Sequence, residues 1–499
     1  MDTNNKKGSG IGRGALHLTL AKIITILMSL VSSMLLSRFR TVEEYGTYNQ
    51  LTIAITLAAS LFMLGLPNSI NYFLAKADTP KERKDFISVY YSLNTALGVV
   101  LGVALVLATP LVELYFDNPA ISEFTYFLAL YPWAYVTISG ISNLLVVYDK
   151  TKKLMLVNVI TTAVSLLSVL VIQLLGLSFK EYITAFLVGN MAIAVWIYIM
   201  SARLEGGMRP SFKGKIIKQI LVYSVPIGLA SLVGTVNIEL DKLMIGNQLG
   251  TEALAYYANA GKELPLTMVA ASLTAVLMPQ LVRKLKVDDK AGVVTLWGRS
   301  VELSYILICF FATACVVFAP QIMTILYSEK YLPGVDVFRI YSLVLILRVT
   351  YFGMVLNCVG KTKFIFWSSI ASLVLNVVLN YLMYLAFGFI GPAIATLLSI
   401  LTVNLIQLVF TARELGVPFS GIFPWRRLLK ISLVNISWGV VCYVALCMLD
   451  VGVGATHTLI CIAIGILITV LYCLFFFRSL KRLWKELNSD DGAHKEEAV

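Results

Sequence analysis

Apolar runs of roughly twenty residues alternate with short polar knuckles along almost the whole chain. They fall at about 15–36, 51–73, 86–108, 121–147, 154–175, 180–200, 219–240, 252–280, 301–326, 335–358, 364–386, 389–411, 429–449 and 456–477. About 20 apolar residues in a helix cross about 30 Å of hydrocarbon. The pattern therefore predicts an all-α integral membrane protein of about fourteen transmembrane helices.

Lys and Arg in the knuckles orient these spans, because positive charge collects on the cytoplasmic side. With the N-terminus on that side, most of the 40 Lys and Arg join it. They include Lys6, Lys7, Arg13, Lys76, Lys81, Arg83, Lys84, Lys150, Lys152, Lys153, and the groups Arg203–Lys218 and Arg283–Arg299. Lys361, Lys363, Arg413, Arg426, Arg427, Lys430 and the C-terminal basic residues complete the set. The opposite side keeps Arg38, Arg40, Lys180, Lys242 and Lys330. Both termini are thus expected in the cytoplasm, and the polar start followed by a long apolar run without a small-residue cleavage site reads as a retained first span.

The chain also repeats itself. An offset of about 209–212 residues aligns "TVEEYGTY" (Thr41–Tyr48) with "GTEALAYY" (Gly250–Tyr257), and Pro67 with Pro279. It also aligns "DKTK" (Asp149–Lys152) with "GKTK" (Gly360–Lys363), and "ITAFL" (Ile183–Leu187) with "IATLL" (Ile394–Leu398). Each repeat holds six spans, and an even number returns the chain to its starting side, so the repeats are parallel. The expected architecture is two six-helix lobes, 1–210 and 211–415, related by a pseudo-two-fold axis and facing each other across a cavity. Two further spans follow at 416–477. "FKGKIIKQI" (Phe212–Ile220) has the pattern of an interfacial amphipathic helix linking the lobes, and "RSLKRLWKEL" (Arg478–Leu487) repeats it ahead of a polar tail, within 478–499.

Composition agrees with this reading. Hydrophobic residues make up 58% of the chain and charged ones 14%, against about 25% charged in a soluble domain. The mean hydropathy is +0.82. A net charge of +12 could signal nucleic acid, but its clusters sit between apolar runs and serve topology. The seven cysteines have no metal-ligand spacing, and His17, His457 and His494 are scattered, which argues against disulfide, zinc and Cys/His chemistry. "VGKTK" (Val359–Lys363) ends like a phosphate-binding loop, but the glycine that such a loop needs five residues before its last one is Val355. No cofactor or metal is expected.

Three stretches carry a resemblance: "SRFRTVEEYGTYNQ" (Ser37–Gln50), "DKLMIGNQLGTEALAYYANAGKE" (Asp241–Glu263) and "GKTKFIFWSSIASLVLNVVLNYLMYLAFGFIGPAIATLLS" (Gly360–Ser399). From about residue 12 to 477 the chain resembles the polysaccharide-biosynthesis, O-antigen-flippase branch of the multidrug/oligosaccharidyl-lipid/polysaccharide exporter superfamily. The resemblance implies a multi-pass transporter of the bacterial inner membrane. It would move undecaprenyl-diphosphate-linked sugars outward by alternating access, alongside the machinery that polymerises glycan. The sugar does not carry over.

Charges inside the spans are the candidate site, since each costs at least about 2.5–3.5 kcal/mol there. Lys22 lies in the first span with Thr25, Ser29 and Ser33 on its face, a stripe that suits either a wetted cavity wall or a lysine snorkelling to the interface. Lys262, with Asn259 on its face, is expected near the middle of the eighth span, as a headgroup ligand or in an ion pair with Glu263 or Glu239. Arg348 is expected near the middle of the tenth, with Tyr341 on its face, whereas Arg339 snorkels outward. Such cations can replace the hydration of a diphosphate, Arg as a planar fork and Lys as a point charge. Arg38 and Arg40 could receive it on release, or form a loop pair balanced by Glu43 and Glu44. Glu239, Asp241 and Glu263 are the carboxylates available for ion coupling; the first two are expected at the end of the seventh span, where carboxylates are usually solvated. Pro226, Pro265 and Pro279 mark kinks, and Gly98 and Gly102 mark close helix packing.

Three other readings compete. A cation-coupled drug exporter of the superfamily would use buried carboxylates, yet the expected midplane charges are mainly basic. A lipid II flippase of cell-wall synthesis also has fourteen spans. A polysaccharide polymerase or ligase would need a large outer loop, and the longest here are about a dozen residues.

Overall fold

The computed structural model describes residues 23–204, 206–262, 267–448 and 455–496. Among these the architecture is helical throughout, as an apolar slab demands, because only a helix or a closed barrel satisfies every backbone group there. The first helices are α1 (Ile23–Phe39), α2 (Val42–Phe62), α3 (Leu66–Lys76), α4 (Pro80–Phe116), α5 (Thr125–Val147), α6 (Thr151–Leu174) and α7 (Phe179–Leu204). Next come α8 (Gly214–Gln248), α9 (Gly250–Ala260), α10 (Thr267–Lys286), α11 (Lys290–Val317), α12 (Ala319–Tyr327), α13 (Val335–Ile346) and α14 (Met354–Cys358). The chain closes with α15 (Thr362–Phe387), α16 (Gly391–Leu415), α17 (Trp425–Met448) and α18 (Ala455–Glu496).

The internal repeat is legible element by element. Helices α4 to α7 correspond in order to α11/α12, α13/α14, α15 and α16. A six-residue 3₁₀ turn, Pro119–Phe124, follows α4, and its counterpart Glu329–Gly334 follows α12. Backbone punctuation repeats as well. Left-handed φ occurs at Asp117 and Ser328, at Asp149 and Gly360, and at Gly176 and Gly388. The knuckles "DKTK" and "GKTK" are therefore the same turn, each releasing a helix at its threonine, Thr151 and Thr362.

Nine helical stretches among the described residues are long and apolar enough to cross a membrane, with Thr362–Leu415 taken as one, and the bent α2/α3 pair makes ten. Two of the fourteen expected runs are divided, and a third is only partly described. Within 15–36, only α1 is described. The run 252–280 divides between α9 and α10. The run 335–358 unwinds over 347–353, between α13 and α14. The two amphipathic segments are not separate interfacial helices: Phe212–Ile220 runs from Gly214 into the 35-residue α8, and Arg478–Leu487 belongs to the 42-residue α18.

The chain divides between Ala255 and Tyr256 into two compact units. The repeat alone sets the boundary near 210. In the structure α8 packs on α2, α3 and α4 and so joins the first unit. A Cβ on Gly228 of α8 would lie 2.1 Å from the Leu64 carbonyl carbon, so glycine is required where the α2/α3 corner docks. That corner is bent by 43° and passes through Gly65 at φ +69°. Gly98 and Gly102 do mark close packing: their missing side chains admit Trp133 and the Ala129 carbonyl of α5. The first unit's core gathers Phe86, Tyr90, Tyr91, Ile141 and Ile197. In the second, Trp297, Ile306 and Ala312 of α11 are buried among α10, α13, α17 and α18.

Candidate functional site

Two interruptions in the second unit hold the two deepest sequence-predicted cations. Helix α9 ends at Ala260, and Lys262 follows it, half-buried, outside any helix. Its amide bonds back to the Asn259 carbonyl at 3.3 Å, and the Asn259 side chain is buried at 1% exposure. Arg348 does not stand on a helix either. It is half-buried in the unwound stretch 347–353 that follows α13. The expectation of continuous helices through both positions is corrected: each cation sits where the helical ladder stops.

The interruption at Arg348 is held from outside. Asn404 of α16 donates from Nδ2 to the Leu347 carbonyl at 2.8 Å, and the fully buried Trp297 of α11 donates from Nε1 to Thr350 Oγ1 at 3.0 Å. Asn404 thus bonds a backbone carbonyl at the broken ladder, while Trp297 holds the Thr350 side chain. Tyr341 does not share a face with Arg348, since the helix ends between them. Its ring lies against Gly261, where a Cβ would be 3.1 Å from Cε2, and its hydroxyl is 3.3 Å from that of Tyr257. Tyr341 therefore belongs with the end of α9, one residue from Lys262.

The remaining candidates are dispersed. Lys22 and Glu263 lie outside the described residues. On α1, Thr25 and Ser33 are half-buried and Ser29 is exposed. Arg38 is exposed, while Arg40 is buried and donates from Nη1 to the Leu177 carbonyl at 3.0 Å. Arg40 thereby fastens the end of α1 to the turn between α6 and α7. Glu44 closes a capping box with Thr41 at the start of α2. Arg339 pairs with Asp336 at 2.9 Å and also reaches the Val316 carbonyl.

Glu239 and Asp241 need a correction. They do not end a helix, because α8 continues to Gln248. Glu239 pairs with Lys242 at 2.9 Å. Asp241 is 2% exposed, against the expectation of a solvated carboxylate.

Sequence reasoning passed over two polar sites. Glu302 of α11 is buried, with Arg427 of α17 at 3.0 Å and Arg482 of α18 at 3.8 Å. Glu486 extends the cluster by pairing with Arg299 at 3.1 Å. In the first unit, Asn94 donates to Thr137 at 3.0 Å and to Tyr198 at 3.4 Å, and Tyr91 and Ser201 share a hydrogen bond of 2.6 Å. A lone Glu at the head of an apolar run and a lone Asn within one were the only signals, and hydropathy averages erase both.

A multi-pass membrane protein of all-helical, repeat-built transporter fold is the class these elements define. The chain covers 99% of a solved lipid II flippase, MurJ, in an inward closed conformation, with 93% of its own length aligned, TM-score 0.69 and 18% identity. An inward-facing multidrug-resistance MATE transporter of the MOP superfamily aligns with 81% of this chain and 98% of its own, TM-score 0.63 and 15% identity. By sequence, the probable low-salt glycan biosynthesis flippase Agl15 of Haloferax volcanii is 22% identical over 269 residues, 53% of this chain. That match spans only 56% of the relative's length. The family profile described as polysaccharide biosynthesis protein matches residues 35–336, and the chain belongs to that family.

Proposed function

We propose that the protein is a flippase that carries polyprenyl-diphosphate-linked oligosaccharide from the cytoplasmic to the outer leaflet by alternating access, for export of surface polysaccharide. On this reading it resides in the bacterial inner membrane with both termini in the cytoplasm, and it works beside glycan polymerase machinery. One observation supports it most: Lys262 and Arg348 stand at interruptions of apolar runs, not on the faces of intact helices. Unwound backbone at membrane depth is tolerated where protein or water lines it, and a cation there can meet an anionic headgroup. Arg provides a fork for paired phosphate oxygens and Lys a compact charge.

The family and the flippase relative support the substrate class. Arg38, on the exposed end of α1, remains a candidate for the release side; Arg40, turned onto a backbone carbonyl, is the weaker one. Thr25, Ser29, Ser33 and Asn259 are the polar groups proposed to accompany the cations, together with Lys22. Asp241, a buried acid, is the proposed ion-coupling group, with Glu239 and Glu263 the other candidates.

The test is complementation of a strain lacking the gene and any redundant flippase. Loss of the gene should strand lipid-linked sugar on the cytoplasmic leaflet. Lys262→Ala combined with Arg348→Ala should restore less than about a tenth of surface glycan while the protein inserts normally. Full restoration by the double variant would remove both residues from the site. Arrest of cell-wall synthesis in place of glycan export would make lipid II the substrate.

A further inference from the structure

The strap between α7 and α8 covers a cavity for which the transport reading has no use. Residues 206–213 lie along one face of α4. Lys84 Nζ donates to the Gly206 carbonyl at 3.1 Å, the Arg209 amide to Ser88 Oγ at 3.4 Å, and the Ser211 amide to Ser92 Oγ at 2.9 Å. Lys213 then pairs with Asp85 at 2.6 Å. Beneath the strap is a cavity of about 330 Å³, bounded by Ser92, Thr95, Ala96, Tyr198, Arg209 and Phe212 among others.

Its two ends differ in chemistry. Lys84, Arg209 and Lys213 stand at the strap, and Asp85 is the acid bonded there. Arg209 is exposed, and among the described residues its amide is bonded while its guanidinium meets no acceptor. At the other end, the face of α4 that carries Asp85, Ser88 and Ser92 continues as Ala96, Val99, Val100 and Val103. The spacing of three and four keeps these residues on one stripe, and the three valines are more than half exposed. Phe212, at 64% exposure, extends the apolar rim.

We infer that this cavity is a binding site for an anionic phospholipid, its phosphate on Arg209 under the strap and an acyl chain along Ala96, Val99 and Val103. Charge complementarity selects the headgroup, since basic pockets at the membrane surface attract anionic lipids. The apolar track selects a lipid over a free phosphate. The size of the cavity favours a single phosphodiester over a diphosphate bearing an oligosaccharide. Occupancy would fix the strap that joins α7 to α8, so bilayer composition would act on the connection between the repeats. The inference stands apart from the proposed transport activity.

Native mass spectrometry of the delipidated full-length chain, titrated with phosphatidylglycerol or phosphatidylcholine, tests it. Phosphatidylglycerol should bind more tightly than phosphatidylcholine. Arg209→Ala should weaken it about fivefold, the worth of one surface cation, and Arg209→Lys should restore most of the loss. Ala96→Trp, which fills the cavity, should abolish the preference, while Arg413→Ala at a distant knuckle should leave it intact. Equal affinity for the two lipids, or an unchanged preference in Arg209→Ala, would overturn the inference. Glycerol phosphate binding as tightly as the lipid would also overturn it, by removing the acyl track.

Discussion

At the residue scale, burial decides which charges matter. The Glu302 carboxylate is 6% exposed, while its partners Arg427 and Arg482 are 57% and 49% exposed. Removing the acid leaves two arginines that water can reach. Removing Arg427 leaves a carboxylate in the interior with only the longer contact to Arg482, and an under-satisfied buried charge costs more than an exposed one. Arg427→Ala should therefore destabilise the protein by about 1–3 kcal/mol, and Glu302→Gln by less. Adding Glu302→Gln to Arg427→Ala should recover part of the loss. Thermal unfolding in detergent reads all three, and a larger effect for Glu302→Gln than for Arg427→Ala would contradict the assignment. Neither Glu302 nor the burial of Asp241 was legible in the sequence. A single carboxylate near the end of an apolar run looks the same whether it faces solvent or two guanidinium groups from helices more than a hundred residues away.

At the element scale, most helices were legible, because lipid forces any apolar run of sufficient length to close its own hydrogen bonds. The repeat was legible for the same reason, down to the shared turn at Asp149 and Gly360. The interruptions were not. Residues 347–353, "LRVTYFG", lie inside a longer apolar run with no proline to mark the break, and the contacts that hold them come from Trp297 and Asn404, distant in sequence. Nor did apolar patterning reveal that α8 begins at Gly214 as one helix, since an amphipathic turn at a membrane surface fits both a separate element and the end of a span. The docking of the α2/α3 corner gives a sharp expectation. Gly228→Ala places a methyl group on the Leu64 backbone, and such overpacking costs about 1–3 kcal/mol. Gly234→Ala, six residues further along α8 with open space around its Cβ, should be neutral or stabilise by up to about 1 kcal/mol. Melting temperatures of the two variants separate these outcomes, and equal losses would refute the close approach at Gly228.

At the scale of the whole molecule, the fold is one shared with solved membrane transporters and the chain belongs to the polysaccharide-biosynthesis family, and the proposed function asks Lys262 and Arg348 to meet an anionic lipid-linked substrate. The most direct measurement is transbilayer exchange of a fluorescent polyprenyl-diphosphate saccharide in vesicles reconstituted with the purified protein, followed by the fraction of sugar that an external lectin can reach. Vesicles containing the protein should expose the inner-leaflet pool far faster than protein-free vesicles, and the Lys262→Ala/Arg348→Ala protein should fall at least about tenfold short of the wild type. Exchange no faster than in protein-free vesicles, from a correctly folded preparation, would contradict the account.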